Sequence, residues 1–183
     1  MKTPRHEQLD EYGYEVWEEN RYPLAYLLTF RTFGTWLHGD ERTSVKRNGW
    51  NRYGHPRYRA NKTLETWMTG EMEQKAMVLS DPMRQLVEQA IRELCEQRGY
   101  GLRAVNVRTN HVHAVVSAPH KPERIVDAIK ANATKVLRAA QYIAPHDKLW
   151  SRGRSRRYLW KPRHVAAAIE YTLCGQGDFV MPE

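Results

Sequence analysis

Two stretches of three-four apolar spacing, with strand-like sequence between them, constrain this chain more than any other feature. Met83, Leu86, Val87, Ala90, Ile91, Leu94 and Cys95 mark an amphipathic helix, opened by Ser80-Asp81-Pro82 and ending near Gly99. Ile125, Val126, Ile129, Ala133, Val136, Leu137 and Ala140 mark a second helix, opened by Lys121-Pro122-Glu123 and ended by Ala144-Pro145. Between them Tyr100 to Arg108 reads as a strand, Thr109-Asn110 as a tight turn, and His111 to Val116 as the returning strand of a hairpin.

The flanks complete the pattern. Leu24 to Phe33 (LAYLLTFRTF) is rich in strand formers, and Arg156 to Trp160 reads as a short strand. Pro162 to about Leu173 reads as a final helix with Val165, Ala166, Ile169 and Leu173 on one side. The order β-α-β-β-α-β, then a helix, predicts an α+β fold of ferredoxin-like or RRM-like kind. In that split βαβ arrangement a four-stranded antiparallel sheet carries two helices on one face, which leaves the other face open to a ligand. Residues 1–22 form an N-terminal arm with little periodicity, and 23–183 form one domain, a length that buries a real core. Gly34 to Leu79, rich in Gly, Asn, Arg and Tyr, is too long for an ordinary connection and reads as an inserted basic loop or partly ordered excursion. No internal repeat or second domain is visible.

Alternation on the returning strand puts His111, His113 and Val115 on one face, with Val112, Ala114 and Val116 on the other. One face is small and apolar, fit to pack on helices. The other presents two imidazoles within reach of one metal ion. A lone H-x-H is weak, so the context has to carry it. Two histidines on the uncovered face of an internal strand have little packing reason to be there. His38 and His164 read as surface or packed histidines. Asn110 suits ordinary turn chemistry better than a site-orienting role.

Charge adds a partner class. The net charge of +8 favours a polyanion. Arg42 to Leu64 holds seven Lys/Arg and no acid, interleaved with Trp50, Tyr53 and Tyr58. Lys148 to Ile169 again holds seven and no acid, with Trp150, Tyr158 and Trp160 among them. Cations mixed with aromatics suit single-stranded nucleic acid, on whose unpaired bases the rings stack. Arg52, Arg57 and Arg59 in the first segment, and Arg152, Arg154, Arg156, Arg157, Lys161 and Arg163 in the second, are the expected nucleic-acid contacts. No apolar run approaches the length of a membrane helix, the N-terminus resembles no secretory signal, and two isolated cysteines fit a reduced, cytoplasmic protein.

Asn-His-Val-His-Ala-Val-Val after a strand, in a β-α-β-β-α-β chain with a tyrosine on a final helix, resembles the single-tyrosine HUH transposases. These are the IS200/IS605-type enzymes and the tyrosine transposases associated with repetitive extragenic palindromes (REP). The resemblance spans about Leu24 to Gln176. It implies that His111 and His113 help bind a divalent cation, Mg²⁺ or Mn²⁺, and that Tyr171, in Ile169-Glu170-Tyr171-Thr172-Leu173-Cys174-Gly175-Gln176, attacks the scissile phosphodiester. It further implies single-stranded DNA, hairpin or palindromic, as partner, a 5′-phosphotyrosine intermediate with strand transfer, and a monomer or homodimer. The family's third ligand is an amide one helical turn after the tyrosine. Gly175 stands there in this chain, and the amide follows at Gln176; water, Asp178 or a residue of the insertion are the alternatives. Against this stands a non-cleaving hairpin binder built on the same sheet. A small zinc hydrolase lacks its H-E-x-x-H motif, and a relaxase is a lesser variant of the same chemistry.

Overall fold

The computed structural model describes residues 22–41 and 59–174, with the backbone of four two-residue strands, Gln8–Leu9, Glu15–Val16, Ser44–Val45 and Arg57–Tyr58. The chain divides into two units, Met1–Arg21 with Trp36–Met72, and Tyr22–Thr35 with Glu73–Glu183.

The larger unit runs β1 (Ala25–Thr32), α1 (Asp81–Gln97), β2 (Gly101–Val107), β3 (His111–Ser117), α2 (Pro122–Ala139), β4 (Trp150–Leu159) and α3 (Pro162–Leu173). The sheet order is β2-β3-β1-β4, and every neighbouring pair is antiparallel. Each of α1 and α2 therefore crosses between two strands that share a direction and are separated by a third, as expected of a split βαβ chain.

Period-two alternation makes β1 a strand. Tyr26, Leu28, Phe30 and Thr32 are buried on one side, while Leu27, Thr29 and Arg31 are half-buried on the other. The first side meets α1 and α2, which contribute Val87, Ile91, Ile125, Ile129 and Leu137 to a core shared with Val112, Ala114 and Val116. Full burial of each such side chain stabilises by about 1.5–3 kcal/mol. Truncating Ile129 to alanine would cost about 2–5 kcal/mol, because a cavity adds to the lost transfer energy.

Both helices end in the same backbone closure. At α1, Gly99 adopts φ 65°, its N–H donates to Glu96 O (3.1 Å), and the Tyr100 N–H donates to Cys95 O (2.8 Å). At α2, Gln141 takes glycine's place at φ 61°, with the Tyr142 N–H on Leu137 O at 3.0 Å. The helix thus stops at Ala139, before the Ala144-Pro145 pair expected to end it. Ser80 occupies the N-cap of α1, but its hydroxyl makes no cap bond, so Pro82 is the stronger start signal.

Three features differ from the sequence reading. The face opposite α1 and α2 is not open along its length. Val165, Ala168 and Ile169 of α3 pack there on Leu27, Ala104, Val115 and Leu159, an apolar patch that needs cover. Strand β4 starts at Trp150, six residues before the expected Arg156, because its alternating arginines mask a strand pattern. The stretch 34–79 carries a helix, Lys62–Gly70, in the smaller unit. The Asn61 side chain caps it by accepting from the Leu64 N–H (3.0 Å), and the Asn61 N–H donates to Gly39 O (2.8 Å). Gly39, at φ 97°, must be glycine, since a Cβ there would lie 2.5 Å from Asn61 O. No described helix is long and apolar enough to cross a membrane.

Candidate active site

Strand register builds two successive polar rows on the α3 side of the sheet. In the inner row His113 of β3 faces Asn106 of β2 and Thr29 of β1, and Thr29 faces Ser155 of β4. In the outer row His111 faces Arg31 on β1. On the β2 side the pairing continues past Val107 and Val112 to Arg108, whose N–H donates to His111 O at 2.8 Å.

The two imidazoles stand edge to face, with centroids 4.8 Å apart and planes at 86°. His113 is buried at 5% exposure, whereas His111 is half-buried. The Nδ1 of His111 lies 2.6 Å from Asn110 Oδ1. An amide oxygen only accepts, so Nδ1 carries the proton and the basic lone pair sits at Nε2. The Nδ1 of His113 lies 2.8 Å from Thr29 Oγ1, a partner that supports the same tautomer. Asn110 does both jobs: it makes the hairpin turn and orients His111. Its carbonyl also accepts from the Thr32 N–H (3.0 Å) and hydroxyl (3.1 Å), which ties the turn to the end of β1.

Tyr171 reaches this pair from α3. Its ring stands 5.4 Å from that of His113, at 87°. Its helix is held by an apolar face, a buried threonine and one hydrogen bond from the sheet. The apolar face already described lies on the sheet, and Thr172 is fully buried with its hydroxyl on Ala168 O (2.8 Å). The Asn106 amide donates to Thr172 O at 2.8 Å.

Two imidazoles whose Nδ1 atoms are held by oxygen partners are the donor arrangement a divalent cation needs, with oxygen donors to complete the shell. Among the described residues no group of three or more His, Cys, Asp or Glu comes together. Gly175, Gln176 and Asp178 lie outside the described residues, so the expected third ligand does too.

The arginines of β4 divide between its faces. Arg154 pairs with Asp127, and Arg156 Nε lies 2.7 Å from Glu123 Oε1, both acids being on α2. Arg157, opposite Leu27, belongs to the same face as Thr29 and His113. Arg152 is exposed where the β1–β4 register shifts, Lys161 is the N-cap of α3, and Arg163 is exposed in its first turn. Arg59 is exposed, Arg57 lies in a two-residue strand, and Arg52 falls outside the described residues. His38 lies beside Gly39 in the smaller unit and His164 opens α3.

The sequence reading missed Thr29, Arg31, Asn106 and Arg108. One signal was available: Thr29 and Arg31 are polar at alternate positions of an otherwise apolar run.

A family model described as "Transposase IS200 like" matches residues 68–171. No curated protein sequence matches the chain. Among solved structures, the chain is similar to a candidate transposase from Deinococcus radiodurans R1, at 17% identity and TM-score 0.48, over 86% of this chain and 94% of that one. It is also similar to a REP-associated tyrosine transposase bound to a REP hairpin, at 13% identity and TM-score 0.44, over 86% of this chain and 70% of that one.

Proposed function

The chain belongs to the IS200-like transposase family, and from that premise we propose that it nicks and rejoins single-stranded DNA through a covalent bond to Tyr171. The observation that carries this reading is the meeting of Tyr171 with His113, with His111 4.8 Å further on. Nothing in the packing of β3 demands two imidazoles at the edge of a tyrosine helix, and together the three residues suit attack on a phosphodiester.

In this reading the Tyr171 oxygen gives its proton to solvent and attacks the scissile phosphorus in line with the 3′ oxygen. The Oη–P bond forms, the P–O3′ bond breaks, and the 3′ oxygen takes up a proton to leave as a hydroxyl. The product is a 5′-phosphotyrosine. It keeps the energy of the phosphodiester, so a second 3′-hydroxyl reverses the step and joins a new strand. His111 and His113, with Gln176 as the proposed third donor, would hold Mg²⁺ or Mn²⁺, which supplies Lewis-acid polarisation of a non-bridging phosphate oxygen. Asn110 and Thr29 keep the two rings turned for that role. Arg157 and the exposed Arg152 of β4, with the cations of the 42–64 segment, would track the DNA backbone.

Incubation with pooled single-stranded DNA hairpins and Mn²⁺ tests the reading. A covalent adduct mapped to Tyr171 by mass spectrometry, and absent from Tyr171→Phe, is the expected result. Hairpin binding without any adduct would support the non-cleaving binder instead.

A further inference from the structure

Helix α2 and strand β4 lie side by side in opposite directions, and the chemistry of their seam changes along its length. Toward the start of α2 each acid meets an arginine of β4, Glu123 with Arg156 and Asp127 with Arg154. Past Asp127 the chain holds Lys130, Lys135 and Arg138 and meets no acid until Asp147. The Asp147 carboxylate accepts from the Ala144 N–H (3.0 Å), and Arg138 donates to the Asp147 backbone carbonyl (3.2 Å) rather than to that carboxylate. Lys135 is exposed and makes no ion pair among the described residues. Arg138 suits the negative end of the helix, but Lys135 stands before the last turn and has no such use.

These cations rim a groove of about 460 Å³ lined by Lys130, Ala131, Thr134, Lys135, Arg138 and Trp150. Its floor is apolar for a traceable reason. Trp150 Nε1 and the Thr134 hydroxyl both donate to Lys130 O, at 3.1 and 2.8 Å, so their polar atoms are turned onto the helix backbone. Lys130 Nζ is held away on Ser151 O and Gly153 O, both at 3.0 Å. The half-buried indole is fixed edge to face on Phe30, with centroids 5.0 Å apart. Lysine and arginine stems lie along apolar surface while their charged heads reach water. The groove therefore offers an aromatic floor with two cations on its rim, the pairing that holds an unpaired nucleotide by its base and its phosphates.

We propose that this groove is a second binding site for single-stranded DNA, in which an unpaired base lies against Trp150 and the adjoining phosphates meet Lys135 and Arg138. The proposal rests on the reading of the chain as a protein that acts on single-stranded DNA. The groove is on the α2 side of the sheet, away from α3 and Tyr171. Strand β4 is the outer strand of the sheet, so DNA leaving the tyrosine side has one edge to cross before it reaches Trp150.

Two probes test this, a short oligothymidylate and an abasic strand of equal length with the same phosphates. Anisotropy at several salt concentrations should show Lys135→Gln and Arg138→Gln each lowering the slope of log affinity against log salt by about 0.7 on both strands. Arg92→Gln, which removes a cation of α1 already paired with Glu88, should leave the slope unchanged. Ala131→Glu puts a carboxylate on the floor at an exposed helical position, and should cut the preference for thymidylate over the abasic strand about tenfold. An oligothymidylate carrying 5-iodouracil should crosslink on irradiation to Trp150, as mapped by mass spectrometry, and Ala131→Glu should lose that crosslink. Unchanged slopes in Lys135→Gln and Arg138→Gln, the same change in Arg92→Gln, or no crosslink at Trp150 overturns the proposal.

Adduct formation on hairpins in Mn²⁺ is read on the same proteins. No adduct in any of them removes the nicking reading, while the slopes and the crosslink still decide the groove. A Tyr171 adduct in wild type with unmoved slopes removes the groove alone.

Discussion

The side-chain amide of Asn106 donates to the backbone carbonyl of Thr172 at 2.8 Å, so an edge-strand residue holds α3 one position past Tyr171. Helix α3 is short and lies on the sheet through a few small apolar contacts. With the apolar face of the helix, this polar bond sets how far along the sheet Tyr171 sits.

Asn106→Ala should cost about 1 kcal/mol of stability, the usual net value of one hydrogen bond. The catalytic cost should be larger. A displacement of about 1 Å in a reacting group is worth about 10²-fold, so adduct formation should slow by roughly 10–100-fold while hairpin binding holds. A variant that keeps the full adduct rate would show that the apolar face of α3 positions the tyrosine unaided.

Thr29 makes a second prediction separable from the first. Its hydroxyl sits on Nδ1 of buried His113. Thr29→Val keeps the shape and removes the oxygen, which should weaken Mn²⁺ binding about 10–100-fold, the usual effect of losing a partner behind a ligand histidine. Thr29→Ser should restore most of it. Calorimetric titration of Mn²⁺ into the three proteins reads this directly, and equal affinities would remove Thr29 from the site.

The contrast between Thr29 and His113 shows what the sequence could disclose. The helices α1, α2 and α3 were legible because each carries its own three-four apolar code, and the hairpin because its turn is local. The histidine pair and Tyr171 were legible only together, as an ordered set along the chain. Thr29 and His113 are 84 positions apart, and Asn106 and Thr172 are 66 apart. What brings them together is cross-strand register and helix docking, which no local pattern encodes. The arginines of β4 illustrate the same limit. Arg154, Arg156 and Arg157 read as one basic run, yet alternation sends the first two to Asp127 and Glu123 of α2 and the third to the opposite face.

Stability should fall in alkali for a traceable reason. Burial pushes the Cys95 thiol up to about 11 from an ordinary value near 9. Between those values the unfolded chain releases a proton that the folded chain keeps, so the unfolded state binds fewer protons and stability declines as pH rises. The contribution is fully present below pH 9 and is lost by about pH 11, a total on the order of 2–3 kcal/mol. Burial, with Glu123 nearby, also raises the Tyr26 phenol and adds in the same direction. Urea melts at pH 8 and pH 10.5 should show Cys95→Ala losing less stability between the two than wild type. Equal losses would assign the alkaline effect elsewhere.

Arg157 and Arg156 provide the final test because they are adjacent, equal in charge and opposite in direction. Arg156 lies against Glu123, so its charge is already compensated on the helix face of the sheet. Arg157, opposite Leu27, looks toward the side that carries Tyr171 and the histidines. Binding of a single-stranded hairpin should therefore depend on them unequally. Arg157→Ala should lower the salt slope of binding by about 0.7, the loss of one phosphate contact, and weaken affinity at low salt. Arg156→Ala should leave the slope nearly unchanged and act on stability, by no more than about 1 kcal/mol for a partly exposed pair. Fluorescence anisotropy at several salt concentrations measures both. If the two substitutions change the slope equally, DNA reads β4 by charge alone, and the side of the sheet on which it lies is not the side that holds Tyr171.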